Sequence, residues 1–357
     1  GSEFLDSQFD HGADGTVYEY ELIYYPTTTD ANGYKLPQPD DVVGVGVTSL
    51  GTDKENYRWT YLTKNNEEKD DYSRIIAMTG QFDKSGIAFD ETVNEVLDVD
   101  QWLRALAYSC ASGAVDSFFS NSGHNGQFYA RPSDGRVLYF PHDLDYFSSS
   151  LPIFTNTELQ KLTANSARKR IYLGHLHDIC TTVFNQSYMA EWTSHYGSLL
   201  PNENFSAHLG YINTRSNYIL SSIQSEVAPV SFAITTNGGA DFTSTDTPVQ
   251  LAGQGWVNVR SIRIAGSSLP LNVTWTSVNT WETQVPLGVG LNSIQLEAVD
   301  FNGNVVGTDA IGINHTGGTQ LPGSNNLVVS EIYYNPLMAD DLSEYIELRN
   351  ISSTYDI

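Results

Sequence analysis

The chain has 357 residues, room for two or three domains, and its 40% hydrophobic and 12% aromatic content is enough for packed cores, which excludes a disordered chain. Against 18 basic residues stand 42 acidic ones, a formal charge of −24. Such a surface repels phosphate backbones and anionic membranes, so nucleic acid is excluded as a partner. A nucleotide needs a metal ion or local Lys and Arg beside it, and divalent cations fit the acidity.

In chain order, Phe4-Leu5 and Phe9 mark a structured start, Tyr18–Tyr25 alternates aromatic and polar residues as a strand does, and Thr27–Pro39 reads as a loop. The first helix is expected from Asp98. Asp98 caps it, Gln101 stands three residues on as in a capping box, and Val99, Trp102, Leu103, Leu106, Ala107 and Cys110 recur at helical spacing. A β-like stretch, Gln127–Phe140, turns at Ser133-Asp134-Gly135. Two more helices follow, one with Leu176, Ile179, Cys180, Val183 and Phe184 on a face, the other with Phe205, Leu209, Ile212, Ile219 and Ile223. Cys110 and Cys180 lie in separate helices and read as buried thiols, a disulfide being the alternative in an oxidising compartment.

At Ala228-Pro229 positive charge nearly vanishes and period-2 alternation takes over: Ile262 and Ile264; Leu271, Val273 and Trp275; Trp281, Thr283 and Val285; Ile294, Leu296 and Ala298. Short strands separated by Gly- and Asn-rich turns describe a β-sandwich. A Gly/Ser/Asn linker leads to a strand starting at Leu327, and no apolar run is long enough to cross a membrane.

Chemistry concentrates between the first helix and the segment after the hairpin. Phosphoryl transfer needs a carboxylate to orient the acceptor hydroxyl and further oxygen ligands for Mg²⁺ on the triphosphate. Asp116 with Asn121 five positions on, then Asp143 or Asp145 after the hairpin, supplies these groups in kinase-like order, and hard oxygen ligands suit Mg²⁺ or Mn²⁺. The same residues also have local uses, since Asp-x-Asp after a strand is a common cap or turn device. Beside them, His124 reads as a loop-orienting hydrogen-bonder. Lys161 and the Arg168-Lys169-Arg170 cluster read as a solvated helix face, Glu67–Asp71 as a solvated loop, and His175 with His177 as residues on different helix faces.

Taken together, Leu97-Asp98-Val99-Asp100…Leu106-Ala107, then Asp116…Gly123-His124-Asn125…Tyr129, then Pro141-His142-Asp143-Leu144-Asp145…Phe147, with a closing helix around Arg215…Tyr218-Ile219, resemble the CotH spore-coat kinase family over about residues 1–226. The resemblance implies a divergent protein-kinase-like fold, Mg²⁺-dependent use of ATP and phosphorylation of Ser/Thr on a protein substrate. It implies Asp116 as the catalytic aspartate, Asn121 or Asn125 as the metal- and nucleotide-binding asparagine, and Asp143 or Asp145 as the metal-binding aspartate. His142 stands where the family has Trp, and Ser148 where Gly usually follows Phe. Basic residues that clamp the phosphates are expected in an N-terminal lobe upstream of residue 1, so this stretch by itself is expected to be inactive. Residues 227–316 resemble bacterial immunoglobulin-like modules. Residues 326–357 resemble the opening of a lamin-tail domain through Val329-Ser330-Glu331-Ile332…Tyr334-Asn335-Pro336 and Glu344-Tyr345-Ile346-Glu347-Leu348.

The expected fold class is therefore α+β. A CotH-kinase-like region (1–226), chiefly a C-terminal lobe, is followed by an all-β sandwich (227–316), a linker (317–325) and a truncated lamin-tail start (326–357). Two functions compete: an extracellular ATP-dependent Ser/Thr kinase, and a catalytically silent scaffold or adhesion module that meets a cell-surface partner. The secreted or surface location follows from the company such modules keep.

Overall fold

A computed structural model describes residues 2–25, 31–32, 41–317, 322–324, 326–333 and 345–351. The chain divides into two units, Gly1–Ala228 and Pro229–Ile357.

The first unit is built on aromatic residues that alternate along short strands. Its elements are α1 (Ser2–Gln8), β1 (Thr16–Tyr20), β2 (Ile23–Tyr25), β3 (Asp41–Val43), β4 (Tyr61–Thr63), α2 (Ser73–Asp83), α3 (Gly86–Val96), α4 (Val99–Ser112), β5 (Gly126–Ala130), β6 (Val137–Pro141), α5 (Thr157–Thr163), α6 (Ser166–Thr182), α7 (Gln186–Leu199) and α8 (Phe205–Glu226). The strand expected over Tyr18–Tyr25 is two strands, and β1 and β2 join different sheets. The main sheet is antiparallel in the order β4-β1-β5-β6, with Tyr18 opposite Phe128 and Phe128 opposite Tyr139. Tyr20, Phe128 and Tyr139 are buried with Trp102 of α4, whose ring stacks on Phe128 with centroids 5.5 Å apart. The indole N–H of Trp102 donates to the Val137 carbonyl at 2.8 Å, which fixes α4 against β6.

Asp98 caps α4 as expected, its Oδ1 accepting from the Gln101 N–H at 3.3 Å. The capping box does not close, because the Gln101 side chain exchanges two hydrogen bonds with the Tyr139 backbone instead. Four helices escaped the sequence reading: α1, α2, α3 and α7. On α6 the buried residues include Tyr172, Leu173, Leu176 and Cys180, while Val183 is exposed. Cys110 and Cys180 are both buried and free, and burial pushes both thiols up, Cys180 to about 12, so neither is a ready nucleophile.

The second unit is all-β: β7 (Ala233–Ile234), β8 (Phe242–Ser244), β9 (Val249–Gln254), β10 (Ser261–Ile264), β11 (Val273–Trp275), β12 (Thr280–Val285), β13 (Gly290–Val299), β14 (Val305–His315), β15 (Leu327–Tyr333) and β16 (Tyr345–Asn350). Two four-stranded sheets, β10-β13-β14-β8 and β11-β12-β9-β7, bury Ile262, Leu296 and Ile313 of one against Leu251, Trp281 and Val285 of the other. The period-2 alternation therefore marks the residues that meet between the sheets. β15 and β16 pair antiparallel in a two-stranded sheet. Tyr334-Asn335-Pro336 and Glu344, which carry part of the lamin-tail resemblance, lie outside the described residues, as do most of Thr27–Pro39 and of the linker 317–325.

Candidate functional site

α4 ends at Gly113, whose φ of +76° closes the helix, as a residue without a side chain can do at little cost. A Cβ here would lie 2.3 Å from the Tyr211 hydroxyl and 2.5 Å from the Ser148 carbonyl, so the position also requires Gly for space. The chain then runs antiparallel to the segment after β6. Ala114 bridges Phe147, Val115 N–H donates to the Tyr146 carbonyl at 2.8 Å, and Ser148 N–H donates to the Gly113 carbonyl at 2.8 Å. Asp116 follows Val115 and Asp145 precedes Tyr146, so the two residues stand at the same end of this short ladder.

The Asp116 side chain is half exposed and held on one oxygen. His124 Nε2 stands 3.1 Å from Oδ1, the Ser122 hydroxyl donates to the same oxygen at 3.4 Å, and the Asn125 amide donates to the Asp116 backbone carbonyl at 2.8 Å. His124 thus orients the carboxylate itself, a sharper role than loop bracing. Asn125, at φ +58°, shapes the turn that delivers His124. The Nδ1 atoms of His124 and His142 are buried with no hydrogen-bond partner. Asp143, at φ +49°, and Asp145 are both exposed.

Asn121 is placed differently. It sits at φ +65° after the turn Phe118–Ser120, and its amide N–H donates to the Thr155 carbonyl at 2.8 Å. Its Oδ1 accepts from the Thr157 N–H at 2.9 Å and the Thr157 hydroxyl at 3.1 Å. Both ends of the amide are committed to the entry of α5. Buried Asn156 reinforces the junction, capping α5 at Leu159 N–H and donating to the Phe118 carbonyl, each at 2.8 Å. Phe118 packs among Tyr20, Trp102 and Tyr139, so the aromatic core anchors the loop that carries Asn121. Among the described residues no three of His, Cys, Asp and Glu converge as a metal cage.

Asn121 and Ser122 edge a cleft of about 370 Å³ floored by Tyr20, Phe82 and Phe118. Glu158 and Lys161 of α5 line it too. Burial raises the Glu158 carboxyl. Lys161, expected on a solvated face, instead donates to the Phe82 carbonyl and lies 5.3 Å from the Phe89 ring centre. The neighbouring basic cluster is also not solvated. Arg168 and Arg170 are buried, and Arg168 pairs with Asp90 and donates to the Leu162 carbonyl at 2.7 Å. The helical pattern around 160–170 misleads because α5 and α6 break at Asn165 and turn these stems inward. In Glu67–Asp71, Asp70 pairs with Lys54 and with Arg58 at 2.7 Å. A larger pocket of about 490 Å³, near Leu5, Val17 and Phe140, holds none of the candidate residues.

The model of the CotH kinase protein family matches residues 2–225, well over half of the chain. The chain belongs to the CotH kinase family. No curated protein matches it. A kinase family transfers phosphoryl groups, uses ATP with a divalent metal and takes a protein substrate in general terms. No helix among the described residues is long and apolar enough to cross a membrane. In this CotH member Asn125 and Ser122 hydrogen-bond to Asp116, His124 stands 3.1 Å from its carboxylate, and Asp145 lies across the ladder from it in register. Asn121 is directed to α5.

Proposed function

We propose that the CotH region is an ATP-dependent protein kinase that moves the γ-phosphoryl group onto a Ser or Thr hydroxyl of a protein substrate. The observation that carries this reading is the pairing of a carboxylate held by His124, Asp116, with a second carboxylate, Asp145, at one end of the ladder between Gly113–Val115 and Tyr146–Ser148. One oxygen of Asp116 is taken by His124 and Ser122, which leaves the other to accept a hydrogen bond from the acceptor hydroxyl and then its proton.

The donor set fits Mg²⁺ or Mn²⁺. Mg²⁺ is characteristically held by one or two carboxylates, with phosphate oxygens and water completing its shell, so a three-carboxylate cage is not required. Asp145 or Asp143, with Asn125 or Asn121, would hold the ion, which supplies neutralisation of the triphosphate charge. Asn125 is the better candidate of the two amides, because Asn121 is spent on Thr155 and Thr157. Lys161 lines the adjacent cleft, but its ammonium is engaged by the Phe82 carbonyl and would have to leave it to meet a phosphate there.

Incubation of the full-length protein that carries this region with Mg²⁺, γ-labelled ATP and a protein acceptor should give label on Ser or Thr, and Asp116→Ala should reduce it by at least a hundredfold with the fold intact. Label incorporation equal to that of the wild type removes Asp116 from the role.

The rival reading is a silent scaffold in a secreted or cell-surface protein that meets a surface partner through its β-modules. It draws support from the commitment of Asn121 to α5, from His142 in place of the family's Trp, and from the sandwich and the two-stranded sheet, for which the immunoglobulin-like and lamin-tail resemblances remain the proposed identities. Absence of any Mg²⁺·ATP effect on thermal stability would favour it.

A further inference from the structure

The geometry points to Arg215 and Tyr211 of α8 as positioning residues that hold the two carboxylate-bearing segments of the site in register. This inference rests on the kinase reading for its functional meaning, and on the hydrogen bonds alone for its physical content. Arg215 is fully buried, yet its guanidinium faces backbone carbonyls. Nε and Nη2 donate to the Cys110 carbonyl at 3.2 and 2.6 Å, and Nη1 donates to the Ser149 and Leu151 carbonyls at 3.1 and 2.6 Å. The Cys110 carbonyl belongs to the last turn of α4, where a cation also meets the negative end of the helix. Ser149 and Leu151 lie just after the Tyr146–Ser148 segment. One planar fork therefore ties the segment that leads into Asp116 to the segment that comes out of Asp145, and a forked donor set suits this better than an ammonium would.

Tyr211 lies one helical turn before Arg215 and repeats the arrangement on the same face. Its hydroxyl donates to the Ser112 carbonyl at 2.7 Å, and its ring meets Phe147 with centroids 4.5 Å apart. The hydroxyl thus holds the end of α4 while the ring holds the opposite segment at the residue that bridges Ala114. Gly113 completes the fit, since a side chain there would collide with both Tyr211 and Ser148. The ladder has three pairing residues on each side and is too short to keep its own register against fraying. Fastening from α8 supplies what its length lacks.

Arg215→Lys can satisfy fewer of the carbonyls and serves as the severe variant. Tyr211→Phe keeps the ring on Phe147, removes one hydrogen bond and is the variant expected to fold. Amide hydrogen exchange separates local loosening from general destabilisation. In Tyr211→Phe, exchange at Val115 and Ser148 should quicken roughly fivefold to tenfold, the loss expected of about one hydrogen bond, while amides of α6 and β5 keep wild-type protection. Phosphotransfer should show a lower kcat at an unchanged KM for ATP, because the nucleotide is still bound but the carboxylates are held less well. Unchanged exchange at Val115 and Ser148, or equal quickening throughout the unit, overturns the inference. A wild type without phosphotransfer removes the kinase reading and with it the catalytic meaning of the clamp, whereas the exchange result still decides whether α8 holds the ladder.

Discussion

Asn121 offers the sharpest separation between a family role and a local one. Replacing it with Ala removes three hydrogen bonds, to the Thr155 carbonyl and to the Thr157 N–H and hydroxyl. It also leaves a residue with a Cβ and no local hydrogen bond at φ +65°. A net hydrogen bond is worth about 0.5–1.5 kcal/mol, and a left-handed residue costs about 1–2 kcal/mol where no polar side chain eases it. Because Asn121 is exposed, water can re-solvate the freed groups, so the low end of each range applies and the expected loss is about 2–3 kcal/mol. For a unit of this size that lowers the midpoint of its thermal transition by roughly 4–12 °C. Asn121→Gly loses the same bonds but tolerates the backbone, so it should recover about 1 kcal/mol of the loss. Thermal scans with and without Mg²⁺·ATP supply the assay. Both variants should be destabilised and should keep the nucleotide-induced rise. A normal midpoint combined with loss of that rise would refute the reasoning and show that Asn121 serves the metal.

Two further outcomes follow from burial. Glu158 carries a carboxyl raised by desolvation, so its folded value lies above the unfolded one. A raised carboxyl favours the fold at pH values below the ordinary 4.5, and that contribution is lost as pH rises through the folded value. Glu158→Gln should therefore raise the thermal midpoint at pH 7 and have little effect at pH 4; a gain independent of pH contradicts the assignment. Trp102→Ala removes a fully buried ring and its bond to Val137, and should cost about 3–5 kcal/mol in urea unfolding of the first unit. A cost below about 1 kcal/mol would mean that the aromatic cluster is not the core that anchors the site loop.

Legibility differed by the range of the interaction involved. The cap of α4 by Asp98, the hairpin turned at Asp134-Gly135 and the alternation of Ile262, Leu296 and Trp281 were readable because each depends on residues within a few positions of one another. The helices α2 and α3 were not read. Their buried faces, among them Ile75, Met78, Phe89 and Val93, are interrupted by polar residues and complete themselves only against other parts of the unit.

The order of Asp116, the hairpin and Asp145 was set by the amino-acid sequence alone, as was the chemistry available to those carboxylates. Tertiary structure decided which partners each candidate side chain meets. Asn121 turns to Thr155 and Thr157 more than thirty residues away, Lys161 turns inward to Phe82, and Arg215 reaches Cys110 from 105 positions along the chain. The physical reason is that a side chain's hydrogen bonds are assigned by what lies within about 3 Å of it after the chain has packed, and spacing along the backbone carries that information only within a turn or a hairpin.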